Sequence, residues 1–379
     1  MAAILTTMSC AGTRVTPPWE TTPGTIGSVK FLNQSTRSDV AVGWPRISDR
    51  LPSTGNVRVA VLFVDFHDSV ATANPETLFN IQKESAEIFN AVSYGRMTYD
   101  FVPLFKWIRM PNNYGSYGFS RGNLTFEKHK HYIQSVIALA ETEFDFSDID
   151  SVVVLANPKT PFDYGPAFCA NSSGAVMGTS HKIFNGVTSG TDGWASEGWW
   201  LTHESGHTLG LVDLYAFETG PTLDTFRFTG DFGVMGKSFT DHLAPEPLAW
   251  ERWQLGWLDD DQIVPLHIYP TTVSLTPIES SGGIKAAIIP LSATKGIVIE
   301  SRHALGYDQA LTREGVLVYT IDTAIDSGYG PIVVQGGASG DLTKVSALLR
   351  KNESITVLGY QILVTDQSAS GETVRISKP

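Results

Sequence analysis

The segment Leu201–Tyr215, with the sequence LTHESGHTLGLVDLY, is the most informative stretch of this 379-residue chain. His203 and His207 are four residues apart, so on a helix they differ by about 40° of rotation and both rings project from one face. Glu204 lies about 100° round the same helix, where its carboxylate can reach a water molecule beside a metal without becoming a ligand itself. The spacing therefore predicts a metal site built on a helix.

Gly210 and Asp213 extend this pattern at intervals of three residues. A glycine can adopt a positive φ, end the helix and turn the chain, which would bring Asp213 back toward the two histidines. Two histidines and one carboxylate with an open fourth position suit Zn²⁺ as a catalytic ion. Each of these residues could also have an ordinary structural role, such as a buried histidine, a surface glutamate or a glycine that ends a helix. For the pattern to be a coincidence, all of these roles would have to apply at once.

The sequence before this motif alternates between strand and helix patterns. The β-branched run Val57–Phe66 predicts a buried strand, and Asn74-Pro75 then predicts the start of a helix. A second helix is expected over Thr125–Phe144, followed by a strand over Ser151–Ala156. These segments predict a twisted mixed β-sheet with the helix of the motif packed beside it.

The rest of the chain divides into a leader, a loop-rich part and a β-rich part. Residues 1–55 are rich in Thr, Ser, Pro and Gly, and we interpret them as an extended leader or pro-segment. The Gly-rich residues 157–193 contain one expected edge strand, Ala175–Lys182. Short alternating runs from Gln262 onward predict β-structure. The predicted fold is therefore α+β, with a catalytic domain over residues 56–261 and a β-rich C-terminal region over residues 262–379.

Composition excludes several classes of protein. The net charge of −12 argues against a nucleic-acid or anionic-membrane partner, and no apolar run approaches the roughly 20 residues that a membrane helix needs. The first fifteen residues lack the charged start of a secretory signal. Cys10 and Cys169 permit at most one disulfide, and the sequence leaves both their pairing and the oligomeric state open.

The motif His203–Asp213 resembles the HExxHxxGxxH/D signature of the metzincin zinc proteases. Within that clan the chain most resembles the immune inhibitor A family of secreted bacterial peptidases, whose motif also ends in Asp followed by Leu-Tyr. The resemblance runs with gaps over about residues 56–322. It includes SYGRMTYDFVPLFKWIRMP (Ser93–Pro111), DFGVMGKS (Asp231–Ser238), AWERWQLGWL (Ala249–Leu258), and IESRHALGYDQAL with EGVLVYTID (Ile299–Asp322).

This resemblance implies a zincin-like catalytic domain and a role for each motif residue. His203, His207 and Asp213 would be the zinc ligands, Glu204 the general base, and Met235 the methionine of a Met-turn beneath the metal. The substrate would be a protein or peptide, bound against the edge strand near residue 178, and the enzyme would be secreted.

The chain also departs from the family pattern at two places. Family members often carry a histidine in the strand ending at Asp322, where this chain has Tyr319-Thr320. No tyrosine directly follows Met235 to stabilise an oxyanion, and His242 and Tyr215 are the alternatives that the sequence offers.

Other polar residues receive simpler interpretations. His129 and His131 differ by about 200° on a helix, so they cannot share an ion and are expected on a solvated face. His181 is expected at the surface. The run Asp259–Asp261 could bind Ca²⁺, a hard ion that prefers oxygen ligands, although adjacent carboxylates also form common solvated turns.

Three functions fit these observations. The first is a zinc endopeptidase in which Glu204 moves the protons. The second is a catalytically weak zinc-scaffold protein whose β-rich C-terminal region binds a glycan or a protein. The third is a zinc hydrolase acting on a non-peptide amide, because the same chemistry applies to any activated carbonyl. The intact Glu204 favours an active enzyme over a scaffold.

Overall fold

A computed structural model describes residues 23–171, 176–177, 182–194, 196–336 and 346–378. Cys10 and His181 lie outside these residues. The fold is mixed α+β. The strands are β1 Gly55–Asp65, β2 Met97–Arg109, β3 Ser151–Ala156, β4 Ala167–Cys169, β5 Val176–Met177, β6 Lys182–Ile183, β7 Asn185–Thr188, β8 Ile263–Pro265, β9 Thr271–Leu275, β10 Ala286–Pro290, β11 Lys295–Arg302, β12 Gly315–Asp322, β13 Ile332–Val334, β14 Ser354–Val357, β15 Tyr360–Ser368 and β16 Gly371–Ser377. The α-helices are α1 Pro75–Gln82, α2 Glu84–Val92, α3 Phe126–Ala140, α4 Glu197–Thr208, α5 Ser238–Asp241 and α6 Ala249–Gln254.

The first sheet is mixed and has the strand order β2-β1-β3-β7-β4. β1 is parallel to both β2 and β3, β7 is parallel to β3, and β4 joins β7 in the antiparallel direction. All six residues of β3 are buried, which fits a central strand covered on both faces. The alternation of strand and helix expected from the sequence is therefore present in this sheet.

The helices on this sheet begin where the sequence predicts. The Asn74 side chain accepts a hydrogen bond from the Glu76 backbone N–H and caps α1. The Thr125 hydroxyl accepts in the same way from Lys128 and caps α3, which ends at Ala140, four residues before its predicted end. The buried face of α3 carries apolar side chains that pack on the sheet.

The last third of the chain is β-structure, as predicted. It forms a five-stranded sheet with the order β13-β12-β11-β10-β8 and a four-stranded sheet with the order β14-β15-β16-β9. The two sheets enclose an apolar core of their own, with Ile299 and Ile376 among its members. A separate core cluster extends from the first sheet to the other face of β10, β11 and β12.

Part of the expected leader belongs to this shared core. Side chains from residues 29–51 are buried together with side chains of the first sheet and of β10–β12, and they include Val29, Phe31, Val40, Val42 and Leu51. The predicted divisions after residues 55 and 261 therefore cross a common core. Within the described residues, none of the helices is long and apolar enough to span a membrane.

The edge of the first sheet lies upstream of its predicted position. β4, Ala167–Cys169, forms this edge, whereas β5 pairs with β6 in a separate two-stranded sheet. Residue 178 itself lies outside the described residues. The expectation that Ala175–Lys182 supplies the edge strand is therefore wrong for Val176–Met177, because these two residues pair with Lys182–Ile183 instead.

Candidate metal centre

Helix α4 carries the first three residues of the motif, His203, Glu204 and His207. The helix ends at Thr208, and Gly210 follows with a φ of +99°. This left-handed conformation favours glycine and turns the chain back beneath the helix. The predicted turn between His207 and Asp213 is therefore present in the structure.

The turn brings Asp213 to the two histidines. One ligand atom from each of His203, His207 and Asp213 lies within 4.8 Å of the others. The Nε2 atoms of His203 and His207 are 3.3 Å and 3.2 Å from Asp213 Oδ1. His203 and Asp213 are buried, and His207 is partly buried. The three side chains thus converge on one point at the floor of a cleft.

The hydrogen bonds of the imidazole rings indicate which nitrogen faces this point. His203 Nδ1 lies 2.9 Å from the carbonyl oxygen of Val234, and His207 Nδ1 lies 2.8 Å from that of Leu211. Because a carbonyl can only accept, Nδ1 carries the proton, and in the neutral ring Nε2 presents its lone pair. This arrangement orients both Nε2 atoms for a metal.

The environment of Asp213 Oδ1, the third possible ligand atom, is suited to a bound cation. Asp213 Oδ1 is buried and has no hydrogen-bond partner. A buried carboxylate oxygen is costly to leave unpaired, and its two close neighbours are nitrogen atoms that act as acceptors in the neutral rings. A divalent cation bound between two nitrogens and one oxygen would satisfy all three atoms. This donor set is typical of zinc sites and leaves a fourth position open.

Charges in the cleft act strongly on one another. Without a metal, burial lowers the pKa of His207, but the negative charge of Asp213 outweighs this effect and raises it to about 9, so a metal would have to displace the proton from Nε2 before the neutral ring could bind it. Burial opposes ionisation of Asp213, yet the two histidines hold its pKa far below the usual value. The pKa of Glu204 is raised, chiefly because the carboxyl is buried, while the histidines oppose the shift.

Glu204 connects the helix to the edge strand. Its Oε2 accepts a hydrogen bond of 2.8 Å from the backbone N–H of Ala167 in β4. Glu204 therefore lies between the three converging side chains and the edge of the first sheet. The sequence does not predict this contact. Ala167 lies in the loop-rich residues 157–193, and the composition of that stretch does not determine its conformation.

The cleft above α4 has a volume of about 760 Å³. Its walls include Phe168 and Cys169 of the edge strand, together with Tyr164 and Phe217. Phe126 stacks on Phe168, with ring centroids 5.3 Å apart, and adds another exposed aromatic ring to the rim. The cleft is large enough for several residues of an extended peptide and is bordered by aromatic side chains.

Met235 is fully buried and lies against α4. A Cβ added at Gly206 would stand 2.6 Å from Met235 Sδ, so the two residues are in direct contact across the turn. The backbone oxygen of Met235 also accepts a hydrogen bond of 2.8 Å from Leu214, next to Asp213. This position agrees with a methionine packed below the metal ligands, and the role itself stays a prediction.

Of the two alternatives for an oxyanion-stabilising group, Tyr215 is the one that lines the cleft. Its ring is nearly parallel to that of His203, with centroids 6.1 Å apart. His242 instead packs against Trp199, with centroids 5.3 Å apart. Tyr319, in the strand ending at Asp322, donates its hydroxyl to buried Glu300 at 2.8 Å.

One expectation about the other polar residues is wrong. His129 is buried rather than solvated, because its Nε2 bonds Thr188 Oγ1 at 2.9 Å and its ring packs on Phe119. Burial lowers the pKa of His129 to about 3, which keeps the ring neutral. In the run Asp259–Asp261, Asp259 pairs with Arg96 and Asp260 with Lys30; a calcium ion there stays a prediction beside the solvated turn.

The sequence does not predict that Ser327 is hydrogen-bonded to Asp213. Ser327 Oγ accepts a hydrogen bond of 2.9 Å from the Asp213 backbone N–H. The two residues are 114 positions apart, and a single serine after a strand carries no recognisable signal. Only the packing of the β12–β13 connection against the motif brings them together.

Comparisons with known proteins add little to this geometry. The sequence matches no protein-family model, and no curated protein matches it. Among solved structures, 23 chains match, including metalloproteinase-II from Bacteroides fragilis. That structure aligns with 14% identity and a TM-score of 0.32, over 62% of this chain and 60% of its own. The function proposed below therefore rests on the geometry of the cleft.

Proposed function

We propose that this protein is a zinc-dependent endopeptidase that hydrolyses peptide bonds of proteins. The observation that carries the proposal is the position of Asp213 Oδ1, a buried oxygen without a hydrogen-bond partner that lies 3.3 Å and 3.2 Å from two imidazole Nε2 atoms. Glu204, a partly buried carboxyl group in the same cleft, supports a hydrolytic enzyme rather than a purely structural metal site.

In this proposal His203, His207 and Asp213 hold the zinc ion. When bound, zinc would supply a Lewis acid that polarises the scissile carbonyl and acidifies water. The carbonyl oxygens of Val234 and Leu211 keep the two imidazole rings in the orientation that such an ion requires.

Glu204 acts as the general base and then as the general acid. Its carboxylate takes a proton from the attacking water and returns it to the nitrogen of the leaving amine. Burial raises the pKa of Glu204, which makes the carboxyl a better proton acceptor than an exposed glutamate. The Ala167 N–H holds one oxygen of the group toward the edge strand.

The substrate is proposed to be an extended segment of a protein. Among the described residues, β4 is the last strand on this side of the first sheet and borders the cleft, so main-chain groups of β4 other than the Ala167 N–H could pair with a peptide main chain. The aromatic rim suits apolar side chains next to the cleaved bond. Secretion of the enzyme remains a prediction from the family resemblance.

The decisive experiment compares the wild-type protein with Glu204→Gln on a quenched unfolded-protein substrate and records the zinc content of both. We expect cleavage by the wild type, about one zinc per chain in each protein, and a loss of turnover of about 10²–10⁴-fold in the variant. Glu218→Gln, a change at an exposed residue, is the matched control and should leave turnover unaltered.

The same experiment separates the other two hypotheses. A zinc scaffold would bind zinc and cleave nothing, and Glu204→Gln would leave the binding of its partner intact. An amide hydrolase would cleave small acyl amides but no protein substrate. If the wild type holds no zinc, the proposed function is wrong.

A further inference from the structure

The backbone of Asp213 is held by a loop from the C-terminal region. Ser327 Oγ accepts from the Asp213 N–H at 2.9 Å, and the Gly328 N–H donates to the Asp213 carbonyl oxygen at 3.2 Å. These two contacts hold both backbone polar groups of Asp213, its N–H and its carbonyl oxygen. They leave the backbone of the third predicted ligand little freedom to rotate.

The same serine also reaches the side chain of Asp213. Ser327 Oγ donates to Asp213 Oδ2 at 3.3 Å, while the other oxygen, Oδ1, faces His203 and His207. A hydroxyl can donate one hydrogen bond and accept two, so one Ser327 side chain can serve both groups at once. The two carboxylate oxygens therefore have different roles: Oδ1 faces the histidines, and Oδ2 is hydrogen-bonded to the hydroxyl.

The loop that presents Ser327 is itself anchored. Ser327 is only 1% exposed. The neighbouring Asp326 carboxylate accepts hydrogen bonds from the Ser35 hydroxyl at 2.6 Å and from the Thr36 backbone N–H at 2.8 Å. Gly328 has a φ of +79°, and a Cβ there would stand 2.3 Å from the Phe217 ring, so glycine is required at this position.

We infer that Ser327 is a positioning residue for the metal centre, which acts by orienting the Asp213 carboxylate. This inference rests on the proposed zinc site. Hydrogen bonds to ligating groups commonly set metal affinity, and removing such a partner typically weakens binding by about 10–100-fold. The Asp326 contacts with Ser35 and Thr36 extend this support to the N-terminal segment.

The test measures zinc affinity directly, by competition between the purified full-length protein and a chromogenic chelator. Ser327→Ala removes the hydroxyl and should raise the zinc Kd by about 10–100-fold. Ser327→Thr retains a hydroxyl and should restore most of the affinity. Ser53→Ala is the matched control, because Ser53 Oγ is also buried and donates to a backbone carbonyl, that of Leu255, at 2.7 Å.

Cobalt substitution gives a second readout that a purely structural role would not change. The visible spectrum of Co²⁺ reports ligand geometry, so Ser327→Ala should alter its bands while Ser53→Ala should not. The inference fails if Ser327→Ala and Ser53→Ala bind zinc equally well, or if Ser327→Thr is as weak as Ser327→Ala. A wild-type protein that binds no zinc would overturn the metal centre itself, and the inference with it.

Discussion

Phe31 stacks on Trp250, with ring centroids 5.3 Å apart and ring planes inclined by 22°. The two residues come from opposite sides of the motif in sequence, yet both rings are almost completely buried. The Trp250 indole also donates to the carbonyl oxygen of Val42 at 2.8 Å. The N-terminal segment is thus packed into the protein at the tryptophan-rich helix α6.

This packing predicts that removal of residues 1–55 unfolds the protein rather than activating it. Burying each large apolar side chain contributes about 1.5–3 kcal/mol, and the deletion would remove several such side chains, including Phe31 and Leu51. We expect the truncated chain to lose cooperative thermal unfolding in circular dichroism. Deletion of residues 1–22 is the control, since it removes none of the described contacts. A folded and more active truncated protein would instead support an inhibitory leader.

The contact between Gly206 and Met235 predicts a second effect on stability. Gly206→Ala would place a methyl group 2.6 Å from Met235 Sδ and force the fully buried Met235 side chain to move, at a cost of about 1–3 kcal/mol. Chemical denaturation should show this decrease in the free energy of unfolding. Gly115→Ala is the control, because nothing lies within 4 Å of its new Cβ. Equal stability of the two variants would contradict the described packing.

Removal of the metal should destabilise the protein. A ligand present at one hundred times its Kd stabilises the folded state by about 2.7 kcal/mol. We therefore expect a chelator to lower the Tm of the wild type and added zinc to restore it. His207→Ala lacks one predicted ligand and should show little response to either treatment. An identical response of the variant and the wild type would exclude His207 as a ligand.

The buried carboxyl group of Glu251 predicts a dependence of stability on pH. Burial raises the pKa of Glu251 from 4.5 to about 7, although the Leu248 N–H bond opposes the shift. The folded state therefore binds this proton more tightly than the unfolded state, and stability should fall as pH rises from 4.5 to 7. Burial also raises the pKa of Asp308, to about 6, which adds a decrease of the same sign.

Glu251→Gln isolates the contribution of this one group. The variant cannot ionise, so its decrease in stability between pH 4.5 and pH 7 should be smaller by about 3 kcal/mol, at about 1.4 kcal/mol per pKa unit. Urea denaturation over this pH range measures the difference. Glu218→Gln, at an exposed position, should follow the wild-type curve. Parallel curves for Glu251→Gln and the wild type would show that Glu251 is already ionised when folded.

The sequence predicts the motif well because its geometry is local. The spacing of His203 and His207, the turn at Gly210 and the cap at Asn74 each depend on a few neighbouring residues. The β-rich last third is also predictable, since alternation over short runs reports directly on strands. These features need no knowledge of distant contacts.

The failures concern residues whose environment is set by distant parts of the chain. His129 was expected in solvent because helical spacing cannot reveal that Thr188 and Phe119 cover it. The edge strand was expected at Ala175–Lys182, although Ala167–Cys169 takes this position by pairing with β7. The composition of residues 1–55 resembles a leader, and only packing reveals that Phe31 belongs to the core.

Because Asp213 and Ser327 are far apart in sequence, they are synthesised at different times. All three predicted ligands leave the ribosome before Ser327, which follows Asp213 by 114 residues. A nascent chain therefore carries the ligand set before it carries the hydroxyl that orients it. In the growing chain, the metal centre proposed here would therefore reach its full zinc affinity only after the β12–β13 connection has packed against the motif.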